Sequence, residues 1–391
     1  MASAPSILEI ALVLLGAAGA GWLARRVGLP AVLGYLAVGL LVSPFTPGYV
    51  AERHQLELLA DVGVVLLLFE VGIEVDLFAL GRDHRGLMWA APLQTILTTA
   101  LVGLVMSSLG LSFLAASVLG LCVAMSSSVV IVNITRSRRR TTDRPTEQAL
   151  LGWSVLQDVT GVGLSMVLLA VANPGSRPIG VAIASIAAFV AVALAGAWLL
   201  PQVLRALRNE HDLFLIVSVA SGLGLAGLGA VVFGVPLALA AFVAGLAVTE
   251  SPDAAEARRR LLPFRDVFAV LFFVTIGMII DPAALGVGLP WLGLLLALLV
   301  LGKTLPALVL ARLAGLHARP GQLAVGLSQI GEFSFVLVSI LLAAGAVAVE
   351  VHAAVLATVV LSIAGSTVLV RLFPAPAQGS IEQPGRDAQT A

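Results

Sequence analysis

Charge is scarce in this chain. Of 391 residues only 11% are Asp, Glu, Lys or Arg, the formal net charge is zero, and a single lysine, Lys303, stands beside 21 arginines. A neutral, charge-poor chain argues against nucleic acid or acidic partners. There is one cysteine, Cys122, inside an apolar run, so no disulfide can form within the chain and the redox compartment is not encoded. The histidines, His54, His84, His211, His317 and His352, fall in loops or at the ends of apolar runs with no metal-ligand spacing. Glycine is abundant but never in a phosphate-cradling context: a run such as Gly222–Ala230 lies inside an apolar stretch, where it reads as close helix packing. No soluble-enzyme motif remains and no cofactor is expected.

What is present is apolar: 59% hydrophobic residues with a mean hydropathy of +1.06. Thirteen runs are candidates to cross about 30 Å of hydrocarbon, the second of them short. They lie near 6–24, 30–43, 57–79, 86–107, 111–134, 146–172, 178–201, 212–228, 231–249, 262–280, 287–311, 320–345 and 350–373. Met1–Ser6 lacks the basic start of a cleaved leader, so the first run is expected to remain as a span. Nineteen arginines fall in gaps that follow odd-numbered runs, and only Arg53 and Arg177 on the other side. The positive-inside rule then predicts an outside N-terminus and a cytoplasmic C-terminus in an inner membrane, with Arg138–Arg140 and Arg258–Arg260 in cytoplasmic gaps near anionic lipid.

The chain also resembles itself. A shift of 205 positions lays Leu67–Asp76 over Phe272–Asp281, matching Gly72 to Gly277 and Asp76 to Asp281, and Tyr35–Pro44 resembles Phe242–Pro252. These are runs three and ten, and two and nine, so runs one to six repeat as eight to thirteen with run seven as linker. Seven runs separate equivalents, an odd number, so the copies enter the membrane from opposite sides. Inverted repeats point to a secondary transporter with its site at the midplane, where discontinuous helices meet. The predicted architecture is an all-α membrane protein of two inverted six-helix repeats.

Two runs carry breaks. Ser126, Ser127 and Ser128 interrupt Ala124–Val132, and Gly331 with Glu332 sits at the matching depth of Leu327–Phe335. Serine competes for backbone hydrogen bonds and glycine weakens a helix, so both are unwinding points, although the serines also suit helix packing. Asp158, preceded by Gln157, lies near the centre of the sixth run; a carboxylate there binds a cation, pairs with a base or is protonated. Lys303 lies in the eleventh run, and an ammonium at bilayer depth needs a partner or must shed its proton, which lysine can do and arginine cannot. A static Asp158–Lys303 pair is the bland alternative. Glu70, Glu74 and Asp76 read as capping or pairing residues near an interface, and Glu9, Asp61 and Asp266 as interfacial.

Taken together, LLLFEVGIEVD in run three, Ser127–Ser128, Gln157–Asp158, FFVTIGMIID in run ten, Lys303, and SQIGEFSFVL in run twelve resemble the monovalent cation:proton antiporter-2 family over nearly the whole chain. The resemblance implies the sodium/proton antiporter fold and a homodimer whose mobile core moves the site like an elevator. It divides the chain into dimerisation-side helices at 1–85, core helices at 86–172, a linker with further dimerisation-side helices at 173–285, core helices at 286–373, and a disordered cytoplasmic tail at 374–391. Carried over residue by residue, Asp158 holds the monovalent cation or the proton, Gln157, Ser127 and Ser128 lie at the ion, Lys303 is the charge partner that tunes Asp158, and Gly331 and Glu332 form the crossover. Electrogenic sodium/proton members carry two adjacent acids where this chain has Gln157–Asp158, which looks like the potassium-efflux branch. A single carboxylate makes electroneutral 1:1 exchange the simplest stoichiometry.

Potassium-efflux members commonly continue into a cytoplasmic nucleotide-binding domain, whereas only PAPAQGSIEQPGRDAQTA follows Phe373. Regulation is then expected from a separate subunit, or is absent, or the sequence is a truncated piece. Two readings of other classes compete. A cation channel needs a ring of carbonyls or acids about an axis and conductance above carrier turnover; a sodium-coupled organic-anion symporter needs substrate-dependent sodium flux without proton movement.

Overall fold

The computed structural model describes residues 4–46, 53–74, 85–136, 141–172, 179–208, 210–235, 237–249, 254–331 and 333–374. Regular structure among them is helical. In order the helices are α1 (Ala4–Val27), α2 (Ala31–Leu41), α3 (Arg53–Glu74), α4 (Arg85–Ser108), α5 (Phe113–Ala124), α6 (Ser128–Arg136), α7 (Arg144–Ala172), α8 (Ile179–Ala206) and α9 (His211–Phe233). Then come α10 (Leu237–Thr249), α11 (Ala254–Ile279), α12 (Pro282–Val287), α13 (Leu289–Leu298), a π-helical turn (Leu299–Thr304), α14 (Leu305–Leu313), α15 (Pro320–Leu327), α16 (Phe333–Ala343) and α17 (Val349–Val370). Hydrocarbon offers no water to backbone N–H and C=O groups, and a helix satisfies them internally. Among the described residues seven helices are long and apolar enough to cross a membrane, including α1, α4, α9, α17 and the continuous Leu289–Leu313; α2, α5 and α16 are shorter apolar helices. The protein is a multi-pass membrane protein.

The helices pack as two sets. One comprises α1–α3 and α8–α11, the other α4–α7 and α12–α17, and the main packing between the sets is that of α7 on α8, which follow each other in the chain. Smaller contacts bridge them: Phe333 and Phe335 of α16 meet the edges of Phe242 on α10 and Phe273 on α11, with ring centres 6.2 Å and 6.4 Å apart. On another face Arg371 Nη1 donates to the Gly28 carbonyl at 2.6 Å.

Within the first set, small residues bring backbones together. A Cβ added at Gly39 on α2 would lie 2.0 Å from the Val274 carbonyl oxygen on α11, and one at Gly277 would lie 2.3 Å from that of Leu36. The crossing of α3 with α10 has the same form: a Cβ at Gly72 would lie 2.3 Å from the Phe242 oxygen, and one at Gly245 2.1 Å from that of Phe69. Gly72 and Gly277 are 205 positions apart and Gly39 and Gly245 are 206, so the offset seen in the sequence exchanges one crossing for the other. Without a hydrophobic force between helices in lipid, such van der Waals closeness is a main source of association.

The structure departs from expectation at one point here. α11 begins at Ala254, ahead of the run near 262–280, so Arg258–Arg260 lie on a helix rather than in a gap. Glu256 explains the extension by pairing one turn on with Arg259 and with Arg260 Nε, the latter at 2.5 Å. Glu70 is buried, and its two oxygens accept from Arg258 Nε at 2.5 Å and Arg265 Nη1 at 2.7 Å, tying α3 to α11 by charge. Asp281 caps α12 by accepting from the Ala283 N–H at 2.8 Å. Glu332, Asp76, Arg138–Arg140, and the 374–391 tail beyond Pro374 lie outside the described residues.

Candidate functional site

Both expected breaks are present, and they cross. The first helix ends at Ala124, turns extended at Met125, stays non-helical to Ser127, and resumes as α6, where Ser127 Oγ accepts from the Val130 N–H at 3.3 Å as a serine N-cap does. The second ends at Leu327 and resumes at Phe333. An interrupted helix leaves carbonyls and N–H groups without partners, and each break here supplies the other's needs. Ser126 Oγ donates to the Leu327 carbonyl at 2.9 Å, the Gly331 N–H to the Met125 carbonyl at 3.0 Å, and the Ser127 N–H to Gln329 Oε1 at 2.9 Å. Gln329 Nε2 returns a bond to the Ser127 carbonyl at 3.2 Å.

Gly331 makes that approach possible. A Cβ there would sit 2.9 Å from the Ser126 carbonyl carbon and 3.0 Å from its oxygen and from the Ser127 nitrogen, all of them backbone atoms with little freedom to yield. Gly331→Ala is therefore expected to loosen the crossing and lower the thermal stability of the purified protein by about 1–3 kcal/mol. A melting profile matching wild type would show that the crossing tolerates the methyl group.

Lys303 reaches the crossing from the π-helical turn, whose wider ring displaces this side chain from the regular helical path; such turns recur at functional sites. The ammonium is 0% exposed and donates to the Gln329 carbonyl at 2.6 Å and the Met125 carbonyl at 3.0 Å. These oxygens lie just past the C-terminal ends of α5 and α15, the negative ends of two helix dipoles, so Lys303 caps both half-helices with one charge. The next residue, Thr304, shares a hydrogen bond with Ser328 of the second break. Asp158 is not one of the hydrogen-bond acceptors of Lys303. The hydrogen bonds of the ammonium thus go to main-chain oxygens of the two breaks, a capping contact that comes in addition to the charge-partner role expected from the sequence.

Asp158, on α7, is 3% exposed and accepts from Ser128 Oγ at 2.7 Å. Ser128 opens α6, so the carboxylate sits beside the positive end of that half-helix. Helix ends of opposite sign thus serve opposite charges, α6 facing Asp158 while α5 and α15 face Lys303. A buried carboxylate held this way can exchange a proton for a small cation, since either neutralises it.

Of the residues read from the sequence, the structure brings Ser127, Ser128, Asp158, Lys303 and Gly331 to one crossing. Gln157 points to a different neighbour: its Nε2 donates to Gln94 Oε1 on α4, which also accepts from Trp153 Nε1 at 3.2 Å. Gln94 and Gln329 were not singled out in advance. Each is a fully buried amide in an otherwise apolar run, and that rarity was the available signal.

Comparison with known proteins adds to this geometry. The family described as "Sodium/hydrogen exchanger, transmembrane" matches residues 10–373. The chain is 34% identical over 369 residues to a putative cation/proton antiporter, YbaL, of Escherichia coli strain K12, covering 90% of this chain and 66% of that protein. It thus spans slightly under two thirds of that relative's length. Solved structures of the sodium proton antiporter MjNhaP1 from Methanocaldococcus jannaschii share the fold. The one at pH 8 superposes with a TM-score of 0.76 at 16% identity, over 95% of this chain and 99% of that one. A second, from electron microscopy, gives 0.67 at 16% identity, over 94% and 95%.

Proposed function

The chain belongs to the sodium/hydrogen exchanger family of monovalent cation:proton antiporters, and from that premise we propose that it exchanges a monovalent cation for a proton at Asp158. The observation that carries the reading is the placement of this buried carboxylate against Ser128 at the break of a crossed helix pair. Deprotonated Asp158 binds the cation, with Ser127, Ser128 and Gln157 around it, and a proton taken from the other side releases it. With one carboxylate at the centre the exchange is 1:1 and electroneutral. The protein is a carrier, not an enzyme.

Thirteen spans in two inverted repeats are the matching architecture, supported by the paired glycine crossings and by the two crossed breaks. The packing set of α4–α7 and α12–α17 is the mobile core, moving against α1–α3 and α8–α11, which form a homodimer in an inner membrane with the N-terminus outside. Crossover residue Glu332 belongs to the same site by its place in the sequence. Potassium is the favoured cargo because Gln157 replaces a second acid and so weakens the field at the site; sodium, which the solved neighbours' names carry, is the alternative. Proteoliposomes with an imposed pH gradient, challenged with potassium, rubidium and sodium in turn, test the choice. Potassium and rubidium are expected to drive proton movement faster than sodium, and sodium leading would reassign the cargo.

A further inference from the structure

An amide beside a cation site has two faces: a carbonyl oxygen that ligates a cation and an NH2 group that repels one. In Gln157 the choice is set from α4. Trp153 Nε1–H donates to Gln94 Oε1 at 3.2 Å, and an indole nitrogen is a donor only, so Gln94 must turn its oxygen toward α7. Its own Nε2 is then directed to Thr98 Oγ1, at 2.8 Å. The same Gln94 oxygen accepts from Gln157 Nε2, which commits that NH2 group to α4 and leaves Gln157 Oε1 as the amide atom not used there. Among the described residues this oxygen has no hydrogen-bond partner, although Gln157 is 0% exposed. Buried polar atoms of native proteins are nearly always satisfied, so an orphan on the residue preceding the central carboxylate calls for an explanation.

We propose that Gln94 is a positioning residue which, locked by Trp153, makes Gln157 present its carbonyl oxygen to the cation carried at Asp158. The proposal rests on the antiporter reading and adds to it the atom that ligates and the residue that selects it. A neutral oxygen beside one carboxylate replaces a water of the cation's hydration shell without adding a second charge, in keeping with a weak-field site. Were the Gln94 acceptor lost, the Gln157 NH2 group would lose the partner that commits it to α4, and a cation at Asp158 would have to hold the amide oxygen-first against its own hydrogen-bonding alternatives.

The test is exchange in proteoliposomes with potassium as the titrated ion, reading apparent KM and maximal rate separately. Gln94→Leu is expected to raise KM for potassium about tenfold while maximal rate changes less than about twofold. Gln94→Leu combined with Gln157→Leu is expected to be no worse than Gln157→Leu alone, since both remove one ligand. Gln94→Glu, protonated in this apolar setting, keeps an acceptor for the indole and a donor for Thr98, and recovers most of the lost affinity. Trp153→Phe removes only the donor that locks Gln94 and gives an intermediate KM; it serves if Gln94→Leu does not reach the membrane. An unchanged KM, or Gln94 and Gln157 effects that add in full, overturns the proposal. Wild-type protein that moves no potassium against protons overturns the antiporter reading and this inference with it, whereas active wild type with a silent Gln94→Leu overturns this inference alone.

Discussion

Asp158→Asn is expected to fold, insert and melt near the wild-type temperature, yet to reduce cation–proton exchange to the level of empty liposomes. Asparagine has the same shape and keeps a carbonyl oxygen to accept from Ser128 Oγ, so the bond that fixes the residue against α6 survives. What it cannot do is lose a proton. A site that carries no charge at any accessible pH neither attracts a monovalent cation into a low-dielectric interior nor releases one on protonation. Melting curves of the purified variant and exchange in proteoliposomes separate the two effects, and persistent exchange would remove Asp158 from the transport cycle.

The second large effect is expected at Lys303. Lys303→Met keeps the length of the side chain but withdraws the ammonium from the Met125 and Gln329 carbonyls and from the negative ends of α5 and α15. A buried acceptor left without a donor costs about 1–3 kcal/mol. The variant should therefore lose stability as well as transport. Lys303→Gln separates capping from charge, because its amide still donates to a carbonyl but carries no charge. It is expected to melt above Lys303→Met and to exchange with a displaced pH profile. If Lys303 served only as a charge for Asp158, the two variants would melt alike and differ from wild type only in transport.

The difference between those variants marks where sequence reasoning stopped. Lys303 and Asp158 stood out because charges in apolar runs are rare, and the Ser126–Ser128 triplet and Gly331 because both weaken helices; the structure brings all of them to one crossing. What the ammonium binds was not legible. Its acceptors are main-chain oxygens 178 and 26 residues away, and nothing in the identity of Met125 or Gln329 announces that their carbonyls are left bare by a break. Glu70 shows the same limit: its acid character was plain, but its arginine partners on α11 are 188 and 195 positions distant. The start of α11 was misplaced because Arg258–Arg260 interrupt the apolar pattern, while the Glu256 pairs that carry the helix through them are a local signal that hydropathy ignores. The paired glycines fared better, since Gly72 and Gly277 had already appeared as equivalents before they were seen at equivalent crossings.

The central claim is that one carboxylate alternates between a monovalent cation and a proton. It is tested most directly by counting both ions at once in wild-type proteoliposomes, with the membrane potential first clamped at zero and then imposed. The account predicts about one proton moved for each cation, in opposite directions, at a rate indifferent to the potential. Cation movement without a counter-moving proton, or exchange that generates a current, would contradict it.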